Sequence, residues 1–453
     1  MMNRRRFLAG AAAASWAACS RRPARTAPNI LVLLPDQFRG MDIGAMGNPE
    51  VRTPTMDSLA AQGALLPRTY ANCPVCCPAR GTLLTGEFAH HHGVDVNDAP
   101  LPNEQVTIAE ILQQRGYRTG FVGKWHLEGG KRMPGFVPPG PRRQGFEFWA
   151  ANICSHDYWD MQYFRDDPEP IPMPGYSART FTDEAVRFLE QESDKPFCLF
   201  VEWGPPHNPY VAPPEYMNLY DPDGLTMREN WVDGIRTGSR SDLAGYYAAI
   251  TFIDDQVKRL LETLDKTGRA NDTIVLLTSD HGDMLGSQGT RLKRKPWEES
   301  IRIPGILRYP AAIKPADRSD LLFSQVDMAP TLLGLAGVEV PDSMDGRDLS
   351  SYLLAGPDAA ADEPESVYLQ SYTPTEQDEF PPWRGVRTAR YTYARQQNQP
   401  WLLYDDEADP FQKVNLVDNP EHAELRAELD AMTMAWFEKT GDDWTERNDL
   451  PYR

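Results

Sequence analysis

No apolar run in this 453-residue chain is long enough to cross a bilayer as a helix; the Ala-rich stretch that ends at Ala18 falls short. Positive charge is scarce. Lys and Arg number 46 against 65 Asp and Glu, a formal charge of −19, and residues 1–25 hold six Arg and no acid, so the remainder carries −25. Such a surface repels polyanions and excludes nucleic acid as a partner. Any anionic substrate must be drawn by a local cationic site. Cysteine is sparse: six in all, of which Cys19 sits near the start, leaving an odd five. That excludes a disulfide scaffold. No internal repeat is present, so solenoids and propellers are excluded too.

What is present suits a large globular enzyme. A hydrophobic content of 41% over this length fills one large α/β domain and a smaller one, and 40 prolines imply many rigid loops. Arg4-Arg5-Arg6-Phe7-Leu8 followed by an Ala-rich run has the layout of a signal peptide and resembles a twin-arginine signal. Ala17-Ala18-Cys19 loosely resembles a lipoprotein cleavage site, although Trp16 stands where a small aliphatic residue is usual. The expectation is a periplasmic protein, with a lipid anchor at Cys19 as the alternative. The domains expected are a signal peptide over 1–25, a catalytic domain over 26–355 and a subdomain over 365–453, joined by the small, acidic Ala355–Pro364 segment.

The rest is organised around Cys76-Cys77-Pro78-Ala79-Arg80-Gly81-Thr82-Leu83-Leu84-Thr85-Gly86. The segment puts a thiol at a helix start with Arg80 four residues on, and both lower a thiol's pKa and favour an anion. Zinc binding by Cys73-x-x-Cys76 lacks a second Cys pair, and His90-His91-His92 has no finger spacing.

Other candidates follow predicted strands. Asn29 to Leu34 is an apolar strand that delivers Asp36 and Gln37, a pair suited either to a hard cation or to capping a turn. Asp272 to Thr278 delivers Asp280 and His281 in the same way. Two such pairs point to a metal more strongly than either alone. Tyr117 to Val122 delivers Lys124 and His126, two apart on one side of an extended segment. His207 follows the strand Phe197–Val201 and is read as structural or as an anion contact. Residues 128–176, rich in Pro and Gly without periodicity, are expected to form a loop rim in which His156, Asp157, Tyr158 and Trp159 are substrate candidates. Ser366–Leu369, Trp383–Ala389, Tyr391–Arg395 and Trp401–Tyr404 read as a small antiparallel sheet, with a helix near Ala423–Lys439.

The Cys76 run resembles the signature of the type I sulfatases, within the alkaline-phosphatase-like superfamily, with Ala79 where Ser is commoner. Gly123-Lys124-Trp125-His126-Leu127, the Pro-His element at His207, Ser279-Asp280-His281-Gly282 and the basic segment from Arg291 to Pro304 follow in the family's order. The resemblance implies an α/β fold with a large, mostly parallel sheet between helices and a small C-terminal antiparallel subdomain. It implies that a formylglycine-generating enzyme converts Cys76 to formylglycine (3-oxoalanine), and that sulfate-ester hydrolysis proceeds through a covalent sulfo-enzyme intermediate. Arg80, Lys124, His126, His207 and Lys293 would be catalytic, with Lys295 the rival of Lys293 if the register slips. Asp36, Gln37, Cys76, Asp280 and His281 would hold Ca²⁺, or Mn²⁺ or Mg²⁺ given Gln37 and His281. A sulfated carbohydrate is the expected substrate, with His156, Trp383 and Arg384 as substrate contacts. A phosphonate monoester or phosphodiester hydrolase is the runner-up, and a non-catalytic sulfoglycan-binding lipoprotein the third reading.

Overall fold

The computed structural model describes residues 27–130, 135–234, 238–315, 317–355, 363–372 and 380–444. The expected signal peptide and most of the Ala355–Pro364 segment lie outside the described residues. Among the described residues no helix is long and apolar enough to cross a membrane.

The run Asn29–Asp36, NILVLLPD, is buried at every position and forms the centre of an eight-stranded sheet. Its neighbours are Phe197–Pro206 on one side and Thr273–Leu277 on the other, both parallel, with Leu31 opposite Leu199 and Val275. Arg118–Lys124 and Phe148–Asn152 continue the parallel array beyond Phe197–Pro206. Ile306–Arg308 turns antiparallel on the other side, and the short strands Ala64–Leu65 and Asp317–Arg318 complete it. The sheet is therefore mixed and mostly parallel, with both faces covered, which is why its strands read as continuous apolar runs. Alternate residues serve two cores. Leu31, Leu33 and Val201 face the helices Ser177–Glu190 and Arg240–Lys266. Ile30, Val32 and Phe200 face the layer that holds Cys76–Thr85, Ile108–Gln114 and Gln325–Leu335.

The structure corrects the loop expected over 128–176. Phe148–Asn152 is an edge strand of the main sheet, and Trp159–Tyr163 pairs antiparallel with Ile171–Tyr176. Neither alternates cleanly in sequence, and the hairpin carries Pro172 and Pro174, which edge positions tolerate.

Ser366–Ser371, Trp383–Thr388, Tyr391–Gln396 and Gln399–Asp405 form a four-stranded antiparallel sheet. The helix Ala423–Lys439 covers one face through Leu429 on Val386, Tyr393 and Leu403. The other face packs through Leu369, Trp383 and Leu402 on Tyr70, Met284, Trp297 and Ile301.

Candidate active site

The site forms where the central strands stop. Between Pro35 and Asp36 the register with Phe197–Pro206 slips, and Gln37 follows at φ 63°, so the chain leaves the sheet with both side chains turned into one pocket. Lys124 ends its own strand and donates from Nζ to Asp36 Oδ2 at 2.5 Å. Thr273–Leu277 leads to Asp280, whose Oδ1 accepts the Gln37 N–H at 2.9 Å. These contacts join segments more than eighty residues apart in sequence, as expected at the carboxyl ends of a parallel sheet.

Cys76 is the first residue of the helix Cys76–Thr85, all ten of whose residues are buried. Its Sγ lies 3.2 Å from His281 Nε2 and 3.2 Å from Lys293 Nζ. Burial pushes this thiol up, but Lys293, Lys124 and His281 together pull it well below the ordinary thiol range. Arg80, one turn on, reaches across the floor. It donates to Asp36 Oδ2 at 3.2 Å, Asp280 Oδ2 at 3.1 Å, the Lys124 carbonyl at 2.9 Å and Glu202. Burial pushes Asp36 up, but Lys124, His207 and Arg80 outweigh it and hold its carboxyl well below the usual range. Burial pushes Glu202 up to about 8 against the pull of Arg80.

Lys293 Nζ also meets Gln37 Oε1 at 3.0 Å and His207 Nε2 at 2.8 Å. His207 stacks on His156 with centroids 4.2 Å apart and gives its Nδ1 to the Asn208 carbonyl at 2.7 Å. His126 lies on the opposite flank, paired through Nε2 with Asp98 at 3.0 Å. The structure thus brings Asp36, Gln37, Cys76, Arg80, Lys124, His126, His156, His207, Asp280, His281 and Lys293 to one site.

The residues fit a divalent cation. Ligand atoms of Asp36, Cys76, Asp280 and His281 all lie within 4.8 Å of one another. Asp36 Oδ1 is buried without a hydrogen-bond partner, an arrangement costly unless a cation sits against it. His281 commits Nδ1 to the Gly282 carbonyl at 2.9 Å, so Nε2 keeps its lone pair for the cluster. Gln37 is oriented by Asp283, which accepts from Nε2 at 2.6 Å and leaves Oε1 inward.

Three expectations are corrected. Trp383 is fully buried and donates Nε1 to the Arg294 carbonyl at 2.9 Å. Arg384 is buried in a two-point pair with Asp442, at 2.5 and 3.0 Å, and lies over the rings of Tyr372 and Trp444. Trp383 thus ties the C-terminal sheet to the main body, Arg384 ties it to Asp442, and neither side chain is presented to a substrate. Lys295 donates to the Arg291 carbonyl at 3.0 Å, whereas Lys293 is the lysine that meets Gln37, Cys76 and His207. The positive φ at Leu292 and Arg294 separates the course of Lys295 from that of Lys293. Within the hairpin region, Tyr158 is buried and supports the His207 carbonyl at 2.8 Å. Cys73 packs among Val75, Ala89 and Tyr372, away from the metal-suited cluster.

Glu202, Asp283 and Asp98 were not anticipated. Glu202 had a signal in the sequence: it is the one charge at the end of the apolar run Phe197-Cys-Leu-Phe-Val201. Asp283 follows directly on Ser279-Asp280-His281-Gly282, which could have marked it, whereas Asp98 sits in a turn with nothing local to mark it.

The sulfatase family model matches residues 28–338, and a model described as N-sulphoglucosamine sulphohydrolase, C-terminal, matches 286–438. The chain is 38% identical to the ulvan-active sulfatase of Formosa agariphila over 93% of this chain and 83% of that protein. A solved structure of a protein in complex with its substrate D-glucosamine-2-N, 6-O-disulfate superposes with a TM-score of 0.82 at 26% identity, covering 94% of this chain and 100% of that one. The phosphonate monoester hydrolase of Agrobacterium radiobacter shares the fold, with a TM-score of 0.76 at 21% identity over 91% and 96% of the two chains. With its family match spanning the whole sheet and every strand end that builds the pocket, the chain belongs to the sulfatase family of sulfuric ester hydrolases, on the alkaline-phosphatase-like fold.

Proposed function

We propose that this sulfatase hydrolyses a sulfate ester carried on a sugar, with Cys76 converted to formylglycine as its nucleophile. The observation that carries the reading is the place of Cys76 Sγ, equidistant at 3.2 Å from His281 of the acidic cluster and from Lys293. That sulfur stands where an oxygen of the hydrated aldehyde would lie. The hydrate supplies two hydroxyls on one carbon, one to attack sulfur and one to expel sulfate later.

The chain's own residues serve that chemistry. Asp36, Gln37, Asp280 and His281 would hold the cation beside residue 76. Their oxygens favour Ca²⁺, while the His281 nitrogen suits Mn²⁺ or Mg²⁺. A bound cation there would lower the pKa of a hydroxyl and polarise the sulfate. Arg80, Lys124 and Lys293 place three positive charges where the sulfuryl oxygens gather charge. Arg80 is held at four points, so its guanidinium is preorganised. Lys293, hydrogen-bonded to His207, is the proton source for the departing alcohol.

A sugar sulfate is supported by the relatives' substrates, and His156 stacked on His207 supplies a half-exposed ring beside the sulfate contacts. The leader supports export to the periplasm, with Cys19 as an alternative point of lipid attachment. Conversion by a formylglycine-generating enzyme is part of the proposal.

The test is anion release from sulfated mono- and disaccharides, an aryl sulfate and a phenylphosphonate ester, beside a Cys76→Ala control. Sulfate release from one sugar regiochemistry, lost in Cys76→Ala, is expected. Faster turnover of the phosphonate ester than of every sulfate would reverse the assignment. An intact thiol in the Thr69–Arg80 tryptic peptide from the native host would make the protein a non-catalytic sulfoglycan binder instead.

A further inference from the structure

Asn97 and Asp98 belong to none of the motifs above, yet both clamp the site. Asn97 Oδ1 accepts the Cys77 N–H at 3.0 Å, capping the first turn of the Cys76 helix, whose own N-cap Val75 has no side chain to do so. Asp98, at φ 68°, donates its N–H to Cys77 Sγ at 3.2 Å, while that thiol donates to the His126 carbonyl at 2.9 Å. The circuit closes through the 3.0 Å contact between Asp98 Oδ1 and His126 Nε2. His126 is also held at a positive φ of 52°.

This circuit fixes the orientation of the imidazole. An ionised carboxylate can only accept, so Nε2 carries a hydrogen, and whenever the ring is neutral its lone pair is on Nδ1. His126 Nδ1 is buried, with no partner at full hydrogen-bond geometry, and the ring lies against the Cys76 and Cys154 thiols. With Nε2 committed to Asp98, Nδ1 is the nitrogen left for the group borne by residue 76.

We infer that Asp98 is a positioning residue that holds His126 by its Nε2–H, so that Nδ1 is the ring atom turned to a hydroxyl on residue 76. The inference rests on the formylglycine reading. In the step served, the hydroxyl O–H bond breaks and its proton goes to Nδ1. The freed pair becomes the second bond of the carbonyl, and the carbon–oxygen bond to sulfate breaks with its pair leaving on sulfate. Asp98 offsets the imidazolium charge until the proton passes to water, as a carboxylate does behind any histidine base.

Two measurements test this. Ring ¹⁵N–¹H correlation spectra of histidine-labelled Cys76→Ser protein, with the His126 signals assigned through His126→Gln and the pH raised until the ring is neutral, should show the Nε2–H pattern, shifted away from it in Asp98→Asn. In converted enzyme, Asp98→Asn should lower kcat about a hundredfold or more with KM little changed, and Asp98→Glu should recover part of the loss. Peptide mass confirms equal conversion. An Nδ1–H pattern in the parent, or kcat unchanged in Asp98→Asn, would overturn the role. The spectra do not depend on formylglycine, so a chain that fails as a sulfatase still reports on Asp98.

Discussion

Gly123 stands one residue before Lys124, and a Cβ there would meet the Glu202 carbonyl oxygen at 1.8 Å, with φ at +119° besides. The bare backbone lets two strands close until Lys124 reaches Asp36. Gly123→Ala is expected to cost about 2–4 kcal/mol and to reduce sulfate release further than the lost stability explains. Denaturant melts and assays on the folded fraction would check both. At this scale the sequence was legible where a residue sat in a motif and silent elsewhere. Cys76 and Arg80 could be read because a thiol and a guanidinium one turn apart on a helix make chemical sense together. Asp98 reaches His126 only through the fold, and Arg384 read as a surface contact because its partner Asp442 lies 58 residues on. The adjacent His90, His91 and His92 show the same limit. They meet Tyr372, Asp345 and Thr82 respectively, three partners that no spacing rule connects.

The Cys76 helix illustrates the element scale. It starts on a cap lent by Asn97 and stops at Gly86, whose φ of 68° lets its N–H close on the Thr82 carbonyl. Just beyond, Glu87 faces Asp345, and burial with that like charge pushes its carboxyl up to about 7. The folded state therefore holds this proton more tightly than the unfolded chain does. Stability from Glu87 is complete below about pH 4.5 and falls as pH rises towards 7. The full shift corresponds to about 3 kcal/mol at most, which solvent screening reduces to about 1 kcal/mol. Glu87→Gln should thus gain on the parent between pH 5 and pH 8 in parallel denaturant melts, and a pH-independent difference would refute the assignment. Most elements were legible in the same physical terms. Asn29–Asp36, Phe197–Pro206 and Thr273–Leu277 announce themselves because both their faces are buried. Phe148–Asn152 does not, because an edge strand is defined by the neighbour it pairs with, here Arg118–Lys124.

Across the whole molecule, the C-terminal sheet does more than pack against Tyr70, Met284, Trp297 and Ile301. Asp442 gathers Arg384, Tyr368 and Gln370, and His90 beside the Cys76 helix joins them through Gln370. Arg384→Ala strands Asp442 in the interior and should cost about 3–5 kcal/mol. Limited proteolysis should then find the Ala423–Lys439 helix before it cuts the main sheet, whereas parent-like resistance would argue that this network holds little.

The complete burial of the Cys76 helix sets a clock on the proposed conversion of Cys76. Its first residue is 1% exposed, and it is enclosed by strands drawn from residues 29–36, 118–124 and 273–277. Pairings of such long sequence separation are slow to form. If Cys76 is converted to formylglycine as proposed, the modifying enzyme must reach it while the chain is still open, and every acceleration of folding shortens that interval. Yield of active protein becomes a race between two rates, in which a more stable variant that folds faster can emerge less active.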